Sequence, residues 1–130
     1  GKPQPNQVTW LTMKILIVDD EIRVANLLAE SVKVQGHEAI VAVSGAECLA
    51  LLEQKCPDAV FLDLVMPEVS GIEVLRRIRA THQSLPVIVI TGHASSAQTD
   101  EARRLGITDC IQKPFILKHV NDALGSLKSS

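Results

Sequence analysis

The sequence predicts an α/β fold in which a parallel sheet is covered on both faces by helices. Two observations lead to this prediction. Five short apolar runs alternate with five segments of helical periodicity along the 130 residues. These runs are continuously apolar, which is typical of strands buried on both faces of a sheet. A chain of this length accommodates one domain with a substantial hydrophobic core.

The first two strand–helix units are predicted to begin with strands at residues 15–18 and 39–43. The helix after the first strand ends near Gly36, a candidate C-cap. After the second strand, Ser44 is a candidate N-cap, and the helix that follows stops before Pro57. The helical period is carried by Ile22, Ala25, Leu28, Ala29 and Val32 in the first helix, and by Ala46, Leu49 and Leu52 in the second.

The third strand, at residues 59–62, leads directly into a carboxylate, Asp63. Because an unpaired charge is costly to bury, Asp63 is expected where the strand ends and solvent begins. Pro67 cannot extend a central strand, and Ser70 and Gly71 then open a helical pattern. One acid is therefore presented at the carboxyl end of a central strand, on the way to a helix.

The last two units are predicted to have strands at residues 87–90 and 107–111. The helix between them, about residues 97–105, is the least apolar of the five and stops at Gly106. Three arginines on the outer face of the third helix are predicted to be solvated: Arg76, Arg77 and Arg79. The apolar face is formed by Ile72, Leu75 and Ile78 in the third helix, and by Leu117, Val120, Leu124 and Leu127 in the last.

Regular alternation of strands and helices implies right-handed crossovers between parallel strands. The predicted strand order is 2-1-3-4-5, which gives a flavodoxin-like (βα)5 three-layer sandwich. Strands 1, 3 and 4 then lie side by side. Because parallel strands all end at one edge of the sheet, the residues that follow them are expected to meet in one crevice.

Composition excludes several classes of function. The formal net charge of -2 gives no electrostatic footprint for nucleic acid, and no apolar run approaches the ~20 residues that a membrane helix needs. The three cysteines lack CxxC spacing, so they are interpreted as reduced thiols of a cytoplasmic protein. Residues 1–12 are interpreted as an expression remnant or a disordered leader, and residues 13–130 as one domain.

Five polar residues are predicted to meet in the crevice: Asp19, Asp20, Asp63, Thr91 and Lys113. Each has an ordinary structural explanation when taken alone, such as helix capping by an aspartate. Together, three crowded carboxylates repel one another, and a hard divalent cation such as Mg²⁺ relieves that repulsion. A lysine and a hydroxyl beside the cation suit the oxygens of a transferring phosphoryl group. A carboxylate can then act as the nucleophile and form an acyl phosphate.

Four motifs resemble those of the receiver domain of bacterial two-component response regulators. They are residues 17–21 (IVDDE), 62–71 (LDLVMPEVSG), 90–93 (ITGH) and 113–115 (KPF). Their order and spacing match that family over residues 14–127. The resemblance implies a protein that is not an enzyme beyond its own phosphorylation and dephosphorylation.

The resemblance also implies a role for each crevice residue. Asp63 takes a phosphoryl group from the phosphohistidine of a sensor histidine kinase or phosphotransfer protein. Asp20, Asp63 and the backbone carbonyl of Val65 bind Mg²⁺, and Asp19 assists through water. Two further residues contact the phosphoryl oxygens: Thr91 and Lys113. The Lys113–Pro114 peptide bond is expected to be cis.

The implied output is a change in the face formed by helix 4, strand 5 and helix 5. Its target is an output domain or a downstream protein, and the resemblance leaves room for a weak homodimer. Most receivers carry an aromatic residue on strand 5 where this chain has Cys110. The switch is therefore expected to run through Thr91 and helix 4 alone, or the domain acts mainly as a phosphoryl carrier.

Two other classes of function stay open. A receiver-like module could bind partners without phosphorylation, although the intact acidic cluster disfavours this. A phosphohydrolase with an aspartate nucleophile needs a second aspartate two residues later, and Val65 stands there.

Overall fold

The computed structural model describes residues 12–115 and 117–128, which form one five-stranded parallel sheet with helices on both faces. The strand order is β2-β1-β3-β4-β5, as predicted. The interpretation of residues 1–12 as a leader stays a prediction, because all of them except Thr12 lie outside the described part. The elements are β1 (Lys14–Val18), α1 (Ile22–Val34), β2 (Glu38–Ala42), α2 (Gly45–Lys55), β3 (Ala59–Asp63), α3 (Gly71–Thr81), β4 (Val87–Thr91), α4 (Ser96–Leu105), β5 (Asp109–Gln112) and α5 (Leu117–Lys128).

The three central strands, β1, β3 and β4, form two hydrophobic layers because successive side chains of a strand point to opposite faces. Fully burying one aliphatic side chain contributes about 1.5–3 kcal/mol, so these layers dominate the stability. The layer under α2, α3 and α4 contains Leu16, Val18, Val60, Leu62, Val87 and Val89. The layer under α1 and α5 contains Ile15, Ile17, Ala59, Phe61, Ile88 and Ile90.

Serine caps begin three of the helices. The Ser44 hydroxyl accepts a hydrogen bond from the backbone N–H of Glu47, which confirms the predicted cap of α2. Ser70 caps α3 in the same way. Ser95 forms a reciprocal capping box with Gln98 at the start of α4. That box was missed, although Ser and Gln three residues apart are its known sequence signature.

Two predicted strands are shifted along the chain. β2 ends at Ala42 rather than residue 43, because the backbone N–H of Val43 bonds to the carboxylate of Glu47 instead of continuing the ladder. β5 begins at Asp109, opposite Ile88 of β4, rather than at residue 107. Ile107 packs on the core from the loop, so its burial imitates that of a strand residue.

The arginines of α3 differ from one another. Arg76 and Arg77 are exposed and pair with acidic side chains, as a solvated face predicts. Arg79 is half-buried, and its guanidinium donates to the backbone carbonyls of Leu105 and Gly106 at the end of α4. The prediction of a solvated side chain was therefore wrong for Arg79, which joins α3 to α4.

Among the described helices, α4 has the fewest buried side chains. Ala102 is its buried residue, and the Arg76–Glu101 pair and the Arg79 contacts join it to α3. Little apolar burial makes a helix easier to displace. Within residues 12–115 and 117–128, no helix is long and apolar enough to cross a membrane.

Candidate functional site

The crevice lies at the carboxyl edge of the sheet, as the strand order predicts. Asp19 directly follows β1, Asp63 is the last residue of β3 and Thr91 is the last residue of β4. Lys113 directly follows β5, and its peptide bond to Pro114 is cis, as expected. Residues from four strands therefore meet at this edge.

Asp63 is buried, contrary to the expectation that it reaches solvent. It is only 4% exposed. The backbone N–H of Val65 donates to its Oδ1 at 3.0 Å, and Lys113 Nζ donates to its Oδ2 at 3.1 Å. Burial is possible because the charge is paired and hydrogen-bonded. Burial raises the pKa of Asp63, and the charge of Asp19 adds to this, while Val65 and Lys113 oppose it.

Lys113 lies among three carboxylates. Its Nζ is 2.8 Å from Asp19 Oδ2, 2.8 Å from Glu21 Oε1 and 3.1 Å from Asp63 Oδ2. The side chain is 13% exposed. Burial alone lowers the pKa of Lys113, but its close contact with Asp19, its hydrogen bond to Glu21 and the nearby Asp63 charge raise the pKa well above its usual value. Lys113 is therefore a fixed cation in the crevice.

The carboxylates of Asp19, Asp20 and Asp63 lie within 4.8 Å of one another. Asp19 is 1% exposed, and its Oδ1 accepts from the backbone N–H of Glu21 at 2.9 Å. Asp19 Oδ2 is close to Lys113 but makes no hydrogen bond of good geometry. A buried carboxylate oxygen that lacks such a bond, next to two more carboxylates, fits a site for a hard cation.

Thr91 is buried at the edge of the crevice. Its hydroxyl accepts a hydrogen bond from the backbone N–H of Ala94 at 3.2 Å, and its backbone carbonyl accepts from the N–H of Lys113 at 2.8 Å. The described contacts thus link Thr91 to Lys113 through the main chain, whereas the lysine touches the carboxylates directly. The five predicted residues thus lie in one crevice, where Lys113 contacts the carboxylates through its side chain and Thr91 is joined to Lys113 by a main-chain hydrogen bond.

Glu21 belongs to the site but was not predicted to act there. Its carboxylate pairs with Lys113, which lowers the pKa of Glu21. The sequence signal was present as a third acid after Asp19 and Asp20. The distance of 92 residues between Glu21 and Lys113 hid the contact.

Gly71 fixes the loop between β3 and α3. A Cβ atom at this position would lie 2.0 Å from the backbone oxygen of Asp63 and 2.4 Å from Leu64 Cα. The N–H of Gly71 also donates to the Leu64 carbonyl at 3.0 Å. Only glycine allows α3 to begin this close to the strand that carries Asp63.

The rim of the crevice combines apolar and titratable side chains. Val65 is 38% exposed, and His93 is exposed. A cavity of about 390 Å³ adjoins the crevice on the α1 side. Its lining includes Glu21, Val24, Leu27, His93, Lys113 and Phe115.

The comparisons with known proteins agree with this geometry. The family model of the response regulator receiver domain matches residues 15–124. The chain belongs to this family. The receiver domain is 36% identical over 110 residues to response regulator MprA of Mycobacterium sp. (strain KMS), an alignment that covers 85% of this chain and 48% of the relative. The chain spans about half the length of the curated relatives it matches.

Solved structures give the same result. The receiver domain of NtrX from Brucella abortus superposes with a TM-score of 0.83 and 31% identity, covering 89% of this chain and 98% of that one. A CheY-like receiver domain protein from Methanospirillum hungatei JF-1 has a TM-score of 0.87 at 23% identity, covering 91% and 94% of the two chains, and supports the fold. These structural likenesses agree with the family match.

Proposed function

We propose that this receiver domain takes a phosphoryl group onto Asp63 from the phosphohistidine of a sensor histidine kinase or phosphotransfer protein. A carboxylate oxygen of Asp63 attacks phosphorus, and the P–N bond to the donor histidine breaks. The imidazole leaves with the bonding electrons and gains a proton, so the product is an acyl phosphate. The pairing of buried Asp63 with Lys113 at 3.1 Å supports this role most strongly.

Lys113 and Thr91 are proposed to receive the phosphoryl oxygens. A fixed ammonium group stabilises negative charge on a transferring phosphoryl group without reorganising during the reaction. Lys113 has this character, because three carboxylates hold it in place. Thr91 supplies a hydroxyl at the end of the neighbouring strand.

Mg²⁺ is the proposed cofactor, held by Asp19, Asp20, Asp63 and the backbone carbonyl of Val65. The oxygen-only donor set suits a hard cation, and three carboxylates beside one lysine leave an excess of negative charge. When bound, the ion supplies neutralisation of charge on the phosphoryl oxygens.

The function is tested by incubating the protein with a small phosphodonor and measuring its intact mass. We expect one added phosphoryl group when Mg²⁺ is present and none when the metal is chelated. A small donor removes the need for the cognate kinase. No adduct under any Mg²⁺ concentration contradicts the proposal and favours a module that binds partners without phosphorylation.

Replacing Asp20 by alanine is expected to weaken Mg²⁺ binding by at least about tenfold, because the change removes a ligand and a charge together. Calorimetric titration with Mg²⁺ measures the effect. Asp58→Ala, an exposed acid at the other end of β3, is the matched control and is expected to bind as the wild type does. Equal affinity of Asp20→Ala and the wild type removes Asp20 from the ligand set.

The acyl phosphate is expected to survive longer in the wild type than in Val65→Asn. Val65 is two residues after the phosphoacceptor and cannot orient an attacking water molecule, whereas asparagine can donate and accept hydrogen bonds. The loss of the phosphoryl group from the protein after removal of the donor measures the lifetime of the acyl phosphate. A wild-type lifetime equal to or shorter than that of the variant contradicts this prediction.

The output surface is proposed to be the face of α4, β5 and α5, acting on an output domain or downstream protein in the cytoplasm. Half-buried Cys110 cannot vacate the volume of an aromatic ring. The coupling is therefore expected near the low end of ~1–3 kcal/mol and to run through Thr91 and lightly held α4. Changes in the backbone amide chemical shifts from Gln98 to Ile111 on adding beryllofluoride support this route. Unchanged shifts in that segment favour a domain that acts as a phosphoryl carrier.

A further inference from the structure

Glu21 stands at the N-cap of α1 but does not cap the helix. Its side chain makes no hydrogen bond to the N–H groups of the first turn. The residues preferred at this position, Ser, Thr, Asp and Asn, satisfy one of those groups with a short acceptor side chain. The Glu21 carboxylate instead reaches Lys113 Nζ at 2.8 Å, across 92 residues of sequence. Departures from a local rule concentrate at functional positions.

The ammonium group of Lys113 donates hydrogen bonds to Glu21 and Asp63 and lies 2.8 Å from Asp19 Oδ2, so three carboxylates already surround it. A phosphoryl group on Asp63 brings further anionic oxygens to the same cation. Because three carboxylates already crowd this cation within 3.1 Å, at least one of them must then move away.

The three carboxylates around Lys113 differ in how firmly they are held. Asp19 and Asp63 are buried, and each also accepts a backbone N–H, from Glu21 and Val65 respectively. Glu21 is different because its side chain is 59% exposed, so water can solvate the released carboxylate. An exposed ion pair contributes little, and Glu21 is therefore the acceptor that leaves at the lowest cost.

We propose that Glu21 is a displaceable counter-ion of Lys113, and that an arriving phosphoryl group takes its place. Glu21 is a positioning residue that acts through Lys113, and the inference rests on the proposed phosphorylation of Asp63. In the unphosphorylated protein, Glu21 lowers the affinity of the crevice for anions. After displacement, its charge is freed at the rim, beside His93 and the cavity on the α1 side.

This displacement gives phosphorylation a second effect, away from the α4 face. Glu21 begins α1, which packs with α5 on the opposite side of the sheet from α4. The charge at the mouth of the cavity therefore changes with the phosphorylation state. A partner that contacts this rim can distinguish the two states without any movement of α4.

The test is calorimetric binding of beryllofluoride, in the presence of Mg²⁺, to the full chain and three variants. Glu21→Gln removes the competing charge and is expected to bind about three- to five-fold more tightly, the size of one partly exposed ion pair. Glu21→Asp keeps the charge but is too short to hold Lys113 and can cap α1, so it is expected to bind more tightly by a smaller factor. Glu30→Gln, an exposed acid on the same helix, controls for net charge and is expected to match the wild type.

Each other outcome counts against the proposal. Weaker binding by Glu21→Gln overturns it and makes Glu21 a support that orients Lys113. Equal affinity of Glu21→Gln and the wild type also overturns it. If Glu21→Gln binds beryllofluoride more tightly and Glu21→Asp binds it as the wild type does, the charge of Glu21 acts by repulsion through space. Glu21 is then not a counter-ion that is displaced from Lys113. Failure of the wild type to bind beryllofluoride defeats the proposed function itself, and this inference with it.

Discussion

Gly71→Ala is expected to lower the free energy of unfolding by about 3 kcal/mol, at the upper end of the penalties for overpacking. The added Cβ would lie 2.0 Å from the Asp63 backbone oxygen and 2.4 Å from Leu64 Cα. Neither atom is the end of a flexible side chain, so the backbone at the end of β3 must shift. The same shift displaces Asp63, and phosphorylation is expected to fall with stability.

Denaturant unfolding measures this effect, and Gly125→Ala is the matched control. Gly125 lies in α5, and a Cβ there meets nothing within 4 Å. The control is expected to raise the free energy of unfolding by about 0.5–1 kcal/mol, because alanine favours helix over glycine. If Gly71→Ala is as stable as the wild type, the close approach of α3 to β3 does not determine the geometry of the site.

Asp63→Asn is expected to accept no phosphoryl group from a small donor, while Asp58→Asn retains wild-type uptake. The asparagine has nearly the same shape, and its oxygen can still accept the hydrogen bond from Val65. An amide cannot serve as the carboxylate nucleophile. Intact mass measures uptake, and undiminished labelling of Asp63→Asn contradicts the assignment.

The free energy of unfolding of Asp63→Asn shows whether this variant fails to take up phosphoryl because the nucleophile is gone or because the fold is lost. The pKa of Asp63 is raised in the folded protein, chiefly by burial, so the folded state binds a proton more tightly than the unfolded state. The wild type therefore loses stability as pH rises from the ordinary aspartate pKa through the raised value. In metal-free buffer at neutral pH, Asp63→Asn is expected to unfold with a higher free energy than the wild type, and the difference should vanish in acid.

The sequence predicted the fold well because its signals were local. Continuous apolar runs marked the buried strands, and strand–helix alternation determined the sheet order. Errors occurred where a single contact that the apolar pattern does not show decided the outcome. The hydrogen bond from the Val43 N–H to Glu47 ended β2 early, and partly buried Ile107 packs on the core from a loop rather than from β5.

The sequence predicted which residues form the site better than it predicted how they contact one another. The strand order brought five polar residues to one edge, but no local pattern revealed which groups pair. Asp63 is buried because Lys113, 50 residues away, neutralises it. Glu21 and Arg79 were missed for the same reason, since each acts on a distant segment that the sequence does not connect to it.

The most direct test of the central claim is to locate the phosphoryl group chemically. An acyl phosphate on aspartate is reduced by borohydride to homoserine, and peptide mass spectrometry then identifies the modified position. We predict homoserine at position 63 alone, formed only after treatment with phosphodonor and Mg²⁺. Homoserine at position 19 or 20, or a phosphoryl group that survives on a serine, threonine or histidine, contradicts the claim that Asp63 is the phosphoacceptor.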